Sequence, residues 1–254
     1  MISYRSGNPA LSSKTFHVKN GTGDNVMTLE GTVNKTALSL LILLTTAFYS
    51  YSNYMHNIIE GTIATSGYIW GGFIGGFIVA LITIFKKEWA PYTVPLYAVL
   101  EGLALGGISA IYNTIYQGIV GQAVLLTFGI FVSLLVAYKT KIISPTENFK
   151  LGIFAATAGI GVAYLINFIM MFWGSGLSIM NIDNASPMSI GFSILVVIIA
   201  SLNLVLDFDF IEQGSEAGVP KYMEWYGAFG LLVTLVWLYL EILRLLAKLQ
   251  SRRS

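Results

Sequence analysis

Five ionisable residues stand inside stretches that are otherwise apolar enough to cross a bilayer: Glu101, Asp207, Asp209, Glu241 and Arg244. A charged side chain at the centre of a spanning helix costs about 2.5–3.5 kcal/mol by insertion measurements, so such a residue faces a cavity, has a partner or carries a proton. Four acids against one base favour an interior that suits cations or protons over anions. Two carboxylates held close in a low-dielectric site cannot both ionise cheaply, and they can share a proton near neutral pH. That is the chemistry of a latch: the shared proton holds two helices together, and its loss repels them and opens a cation-attracting site.

Helix geometry sorts the candidates. Asp207 lies one turn after Asn203, on the face of Ala200 and Val196, whereas Asp209 is turned about 200° away and shares a face with Glu212. Asp207 and Asn203 are therefore expected to face the core. Asp209 is expected to meet headgroups or inner-loop lysines, or to share the core role. Glu241 and Arg244 are three residues apart and can pair within one helix; the alternative is an interfacial salt bridge with Arg244 snorkelling. Glu101 sits roughly two turns into its span, where its plain alternative is a hydrogen bond to a Ser, Tyr or Asn of a neighbouring helix.

Other chemistry is thinly represented. There are no cysteines, which excludes disulfides, thiolate metal sites and Cys nucleophiles. Both histidines, His17 and His56, fall in a tail or an outer loop, HExxH is absent, and Asp207 lacks a Gly-x-Gly-Asp context. No enzymatic activity and no cofactor are expected. The run Gly71-Gly72-Phe73-Ile74-Gly75-Gly76 lacks the Lys-Ser/Thr of a phosphate loop and lies within an apolar stretch. It reads as close helix packing, as do Ala98, Gly102, Gly106 and Ala110, and Gly152, Ala156 and Gly159 to Ala163.

The elements that must position these groups follow from composition. Of the 254 residues, 55% are hydrophobic and 11% charged, against about a quarter charged in soluble domains, and mean hydropathy is +0.71. A net charge of +1 points to no nucleic-acid partner. Seven blocks reach the roughly 20 residues that a helical span requires: Lys35–Tyr54, Ile63–Phe85, Tyr92–Tyr112, Gly118–Tyr138, Lys150–Phe172, Pro187–Phe210 and Tyr226–Ala247. Backbone groups in lipid must bond internally, so the fold class is an all-α integral membrane protein, a seven-transmembrane-helix bundle. Residues 1–34 are expected to form a polar, disordered cytoplasmic tail, residues 35–247 the membrane domain, and residues 248–254 a short basic tail.

Loop charges orient the chain. With the N-terminus inside, inner segments carry Arg5, Lys14, Lys19, Lys35, Lys86, Lys87, Lys139, Lys141, Lys150 and Lys221, while the outer loops contain no Lys or Arg. This predicts a multi-pass inner (cytoplasmic) membrane protein with a cytoplasmic N-terminus. Seven spans place Lys248, Arg252 and Arg253 outside; alternatively, the last span turns back.

Leu206-Asp207-Phe208-Asp209-Phe210-Ile211-Glu212, then Leu238-Tyr239-Leu240-Glu241, together with Glu101-Gly102-Leu103-Ala104-Leu105-Gly106, resemble the transmembrane Bax inhibitor motif family, most closely a bacterial branch, over about residues 35–247. The resemblance implies a seven-helix bundle behaving as a pH-sensitive calcium-leak channel, gated by paired acids of spans six and seven. By motif position these are Asp207 and Glu241, with Glu101, Asn203, Asp209 and Arg244 in supporting roles. Two departures are visible. The 34-residue separation is longer than the pattern by the stretch Pro220–Leu231, and if this lengthens the span, Glu241 lies too far from Asp207 to touch it. Span two has no basic partner before Lys86 and Lys87.

The expected partners are the lipid bilayer, with Ca2+ or protons as permeant or regulatory ions. The alternative function is a non-transporting scaffold that binds other membrane proteins, such as a membrane protease, through helix–helix contacts.

Overall fold

Among the described residues, seven helices are each long and apolar enough to cross a membrane. The structure, a computed structural model, describes residues 25–60, 67–174 and 176–252. The helices are α1 (Leu29–Ile59), α2 (Gly67–Phe85), α3 (Ala90–Ile115), α4 (Ile119–Lys139), α5 (Glu147–Met171), α6 (Pro187–Glu216) and α7 (Met223–Ser251). Among the described residues the only β-pairing is an isolated antiparallel bridge between Val26 and Pro220.

Local chemistry sets the helix ends beyond the apolar blocks. α1 starts at Leu29, before Lys35, because Thr28 caps it: its side chain accepts from the Gly31 N–H, and Glu30 lies in the first turn, where an acid is favoured. The expected tail over residues 1–34 is therefore helical from residue 29, and residues 1–24 lie outside the described residues. α6 continues past Phe210 through the helix formers Glu212, Gln213 and Glu216. It then closes in a Schellman motif, with Val219 N–H bonding the Gly214 carbonyl, Gly218 N–H bonding that of Ser215, and Gly218 at φ +63°. α7 is uninterrupted to Ser251, so the last span does not turn back, and Lys248 belongs to the helix, not to a basic tail.

The chain divides into two compact units, with α6 and α7 contributing to both. One holds α1, α2, α3 and the stretch Phe210–Leu232. Here Gly102 and Gly106 let α3 lie directly on α1: a Cβ at Gly106 would strike the Ala47 carbonyl and lie 2.8 Å from the Ser50 Cβ, while Ser50 Oγ donates to the Leu103 carbonyl at 2.8 Å. Gly72 gives α2 the same approach to Leu100 and Ala104 of α3. The aromatic part of this unit's core includes Tyr97 edge-on to Phe229, with ring centroids 5.1 Å apart.

The second unit holds α4, α5, α6 to Asp209 and α7 from Val233. Ile153 and Ile160 of α5 pack with Val196, Ile199 and Leu206 of α6, and Phe208 lies between the rings of Phe131 and Tyr138. The glycine stripe expected to pack α5 does not do so. Gly152, Gly159 and Gly161 face open space, because the buried edge of α5 runs through Lys150, Ile153, Thr157, Ile160 and Tyr164 at helical spacing.

The two glycine sets predict opposite responses. Gly106→Leu, forced against the α1 backbone, should destabilise the protein by about 1–3 kcal/mol, whereas Gly152→Ala should be neutral or stabilising by up to about 1 kcal/mol. Thermal unfolding in detergent checks both.

Candidate functional site

A polar line runs along α7. Thr234, Glu241 and Lys248 recur every seven residues and so share a face, with Arg244 between the last two. Glu241 is buried and Lys248 wholly so.

Asp207 of α6 is wholly buried and accepts a hydrogen bond from Thr234 Oγ1 at 2.5 Å. One turn earlier, Asn203 Nδ2 donates to Thr157 Oγ1 of α5 at 2.8 Å and to the Ile199 carbonyl at 2.8 Å. Asn203 Oδ1 is buried without a hydrogen-bond partner among the described residues. Farther along α7, Glu241 Oε1 accepts from Tyr164 Oη at 2.6 Å and from Arg244 Nη1 at 3.0 Å. Arg244 Nη1 also donates to Glu241 Oε2 at 3.0 Å and to Tyr164 Oη at 2.9 Å, and its guanidinium lies 5.5 Å from the centre of the Tyr164 ring. Tyr164 therefore acts as donor to the acid and acceptor from the base within a closed three-residue network.

Asp207 and Glu241 do not hydrogen-bond one another. The surplus stretch Pro220–Leu231 lies mostly within α7, which begins at Met223, so it lengthens the helix and not the turn. Thr234, the residue level with Asp207, precedes Glu241 by seven positions, roughly 10 Å of helix rise. A proton shared directly by the two acids is thus replaced by two separate carboxylate sites.

Asp209 points elsewhere, as its 200° offset requires, and forms an ion pair with Lys150 of α5 at 2.7 Å; Lys150 also meets Glu147 at 3.3 Å. Glu101 belongs to the other unit. Its Oε2 lies 2.9 Å from the point a Cβ would occupy on Gly76 of α2, and among the described residues it makes no hydrogen bond.

Lys248 changes the charge balance. It donates to the carbonyls of Ile179 and Ser189 at 2.8 and 3.3 Å and to Ser193 Oγ at 2.9 Å, using all three ammonium protons. This ties the end of α7 to the connection before α6 and to the first turns of α6. In this unit Asp209 is paired with Lys150 and Glu241 with Arg244, and Lys248 adds a buried positive charge held by neutral groups, so the acids are not opposed by a single base. Thr234 and Tyr164 escape notice in the sequence because a hydroxyl in an apolar run carries no charge signal, and Lys248 because it stands beside a basic end.

The network predicts strong non-additivity. Arg244→Met strands the Glu241 carboxylate and should cost about 3–5 kcal/mol, while Glu241→Gln combined with Arg244→Met should cost distinctly less than the sum. A double-mutant cycle on unfolding in detergent measures the difference.

No curated protein matches the sequence. The sequence model of the family described as "Bax inhibitor 1 like" matches residues 8–251, nearly the whole chain, and the protein belongs to that family.

Proposed function

We propose that the protein is a non-enzymatic, pH-sensitive cation leak of the cell membrane, with calcium the first ion to test and the N-terminus cytoplasmic. The observation that carries this reading is the hydrogen-bonded line on α7, where Asp207 and Glu241 are each held inside a spanning bundle by a hydroxyl, Thr234 and Tyr164. A hydroxyl donates to a carboxylate and accepts from a carboxylic acid, so each bond persists in both protonation states with its direction reversed. What changes with the proton is the buried negative charge. With the proton bound, the acids offer a cation nothing; with it lost, each adds a negative charge where hydrocarbon strengthens attraction. The balancing bases Arg244 and Lys248 favour a slow leak over a high-throughput pore. The absence of Lys and Arg from the outer loops supports the orientation.

One observation favours a second reading, a scaffold for another membrane protein. Gly152, Ala155 and Gly159 form an exposed small-residue surface on α5, which suits close docking of a foreign helix. Stoichiometric crosslinking of a partner at these positions, with no flux, would support it.

For the leak, protein reconstituted in liposomes should pass calcium at a rate that falls as pH is lowered. Asp207→Asn and Glu241→Gln should each flatten that dependence. Absence of flux at any pH refutes the leak, and an unchanged profile in both variants removes these two residues from the gate.

A further inference from the structure

Glu224, in the first turn of α7, is a wholly buried carboxylate that none of the pathway chemistry uses. It is seated on the start of α1. Its Oε1 accepts from the Thr28 N–H at 3.0 Å and from Thr28 Oγ1 at 2.8 Å, and its Oε2 forms an ion pair with Lys35. The first N–H groups of a helix have no partner within it and carry partial positive charge, so an anion is favoured there. Gly31 makes the seat possible: a Cβ at that position would overlap the Glu224 carboxyl group.

The backbone fastens the same two segments. Met27 N–H bonds the Val219 carbonyl at 2.7 Å and Lys221 N–H bonds the Asn25 carbonyl at 2.9 Å, making Val26 and Pro220 the opposed pair of an antiparallel bridge. Pro220 fits because the bridge asks nothing of its missing N–H, the two bonds using the residues on either side. The chain just before α1 and the turn between α6 and α7 are thus joined by backbone pairing and by a buried, charge-compensated acid. A desolvated carboxylate is costly unless several donors hold it, and that cost penalises any displacement of Glu224 from its seat.

Resting on the leak reading above, we propose that Glu224, through Lys35 and Thr28, is a positioning residue that fixes α7 along its axis and so holds the pathway in its resting, low-leak state. α7 is a single uninterrupted helix, so a shift at its first turn is carried along the axis to the residues that hold the gate acids. Release of the clasp therefore changes how the gate responds to pH, beyond any change in the amount of folded protein.

The experiment uses the full chain, which contains no cysteine. Glu224→Gln and Lys35→Met should each raise calcium flux at neutral pH severalfold per folded molecule and flatten its pH profile. Val26→Cys with Pro220→Cys supplies a lock, because opposed Cα atoms of such a bridge lie about 4.5 Å apart, within disulfide range. Oxidation of this pair in the Glu224→Gln background should return the flux to the resting level, and a reductant should raise it again. A Glu224→Gln variant with wild-type flux per folded molecule and wild-type pH profile would overturn the proposal. If no protein, wild type included, passes calcium, the leak reading fails. The clasp is then judged by crosslinking alone: the cysteine pair should oxidise more slowly in the Glu224→Gln background than with Glu224 in place, and equal rates would overturn it.

Discussion

A charge inside a spanning helix is costly unless it faces a cavity, carries a proton or finds a partner, and of the five such groups read from the sequence all but Glu101 find a partner within the described residues. Among the described residues most are answered by α7 or on it. Asp207 is met by Thr234, Glu241 by Tyr164 and Arg244, and Glu224 by Thr28 and Lys35. Lys248 instead uses backbone carbonyls and a serine hydroxyl, the neutral route to the same end. Such bonds require α7 to sit in one register, because a displacement of even one turn would leave several desolvated groups unmatched at once. Specific register is the property best attested for buried polar groups in helical assemblies.

The seven spans are legible in the sequence because length and hydropathy alone decide whether a helix can cross lipid. Asp207 and Asp209 part company for an equally local reason, their 200° separation on α6. Legibility ends where the partner is neutral or distant. Thr234 and Tyr164 look like any other residue of an apolar helix, and Glu224 stands before the apolar block begins, in what reads as a turn. The α5 glycines show the converse error, since small residues four apart can serve either side of a helix and only the larger residues between them settle which side is buried. The separation of Asp207 from Glu241 is foreshadowed by the long Pro220–Leu231 stretch, but whether that stretch becomes turn or helix depends on where α6 stops, and that is set by the Gly218 cap.

The same accounting bears on what the molecule does. On the proposed leak reading, a pathway in which Asp209 is paired with Lys150 and Glu241 with Arg244, and Lys248 adds a further buried positive charge, differs physically from one lined by acids alone. On that reading, the arrangement fits a modest leak better than strong selection for divalent ions. The Bax inhibitor 1-like membership agrees with the seven-helix fold, and each of the two acids is held by a hydroxyl of a neighbouring helix.

The polar line on α7 also has a consequence for how the protein is made. Translation delivers the helices in order, so α5 and α6 enter the membrane before the helix that completes them. Asp207 must wait without Thr234, Tyr164 without Glu241 and Arg244, and Ser193 without Lys248. Six spans alone therefore leave the acid Asp207 and the hydroxyls of Tyr164 and Ser193 without the partners α7 brings. Arrival of α7 is then the step that supplies these bonds, and a chain stalled before Thr234 lacks them all.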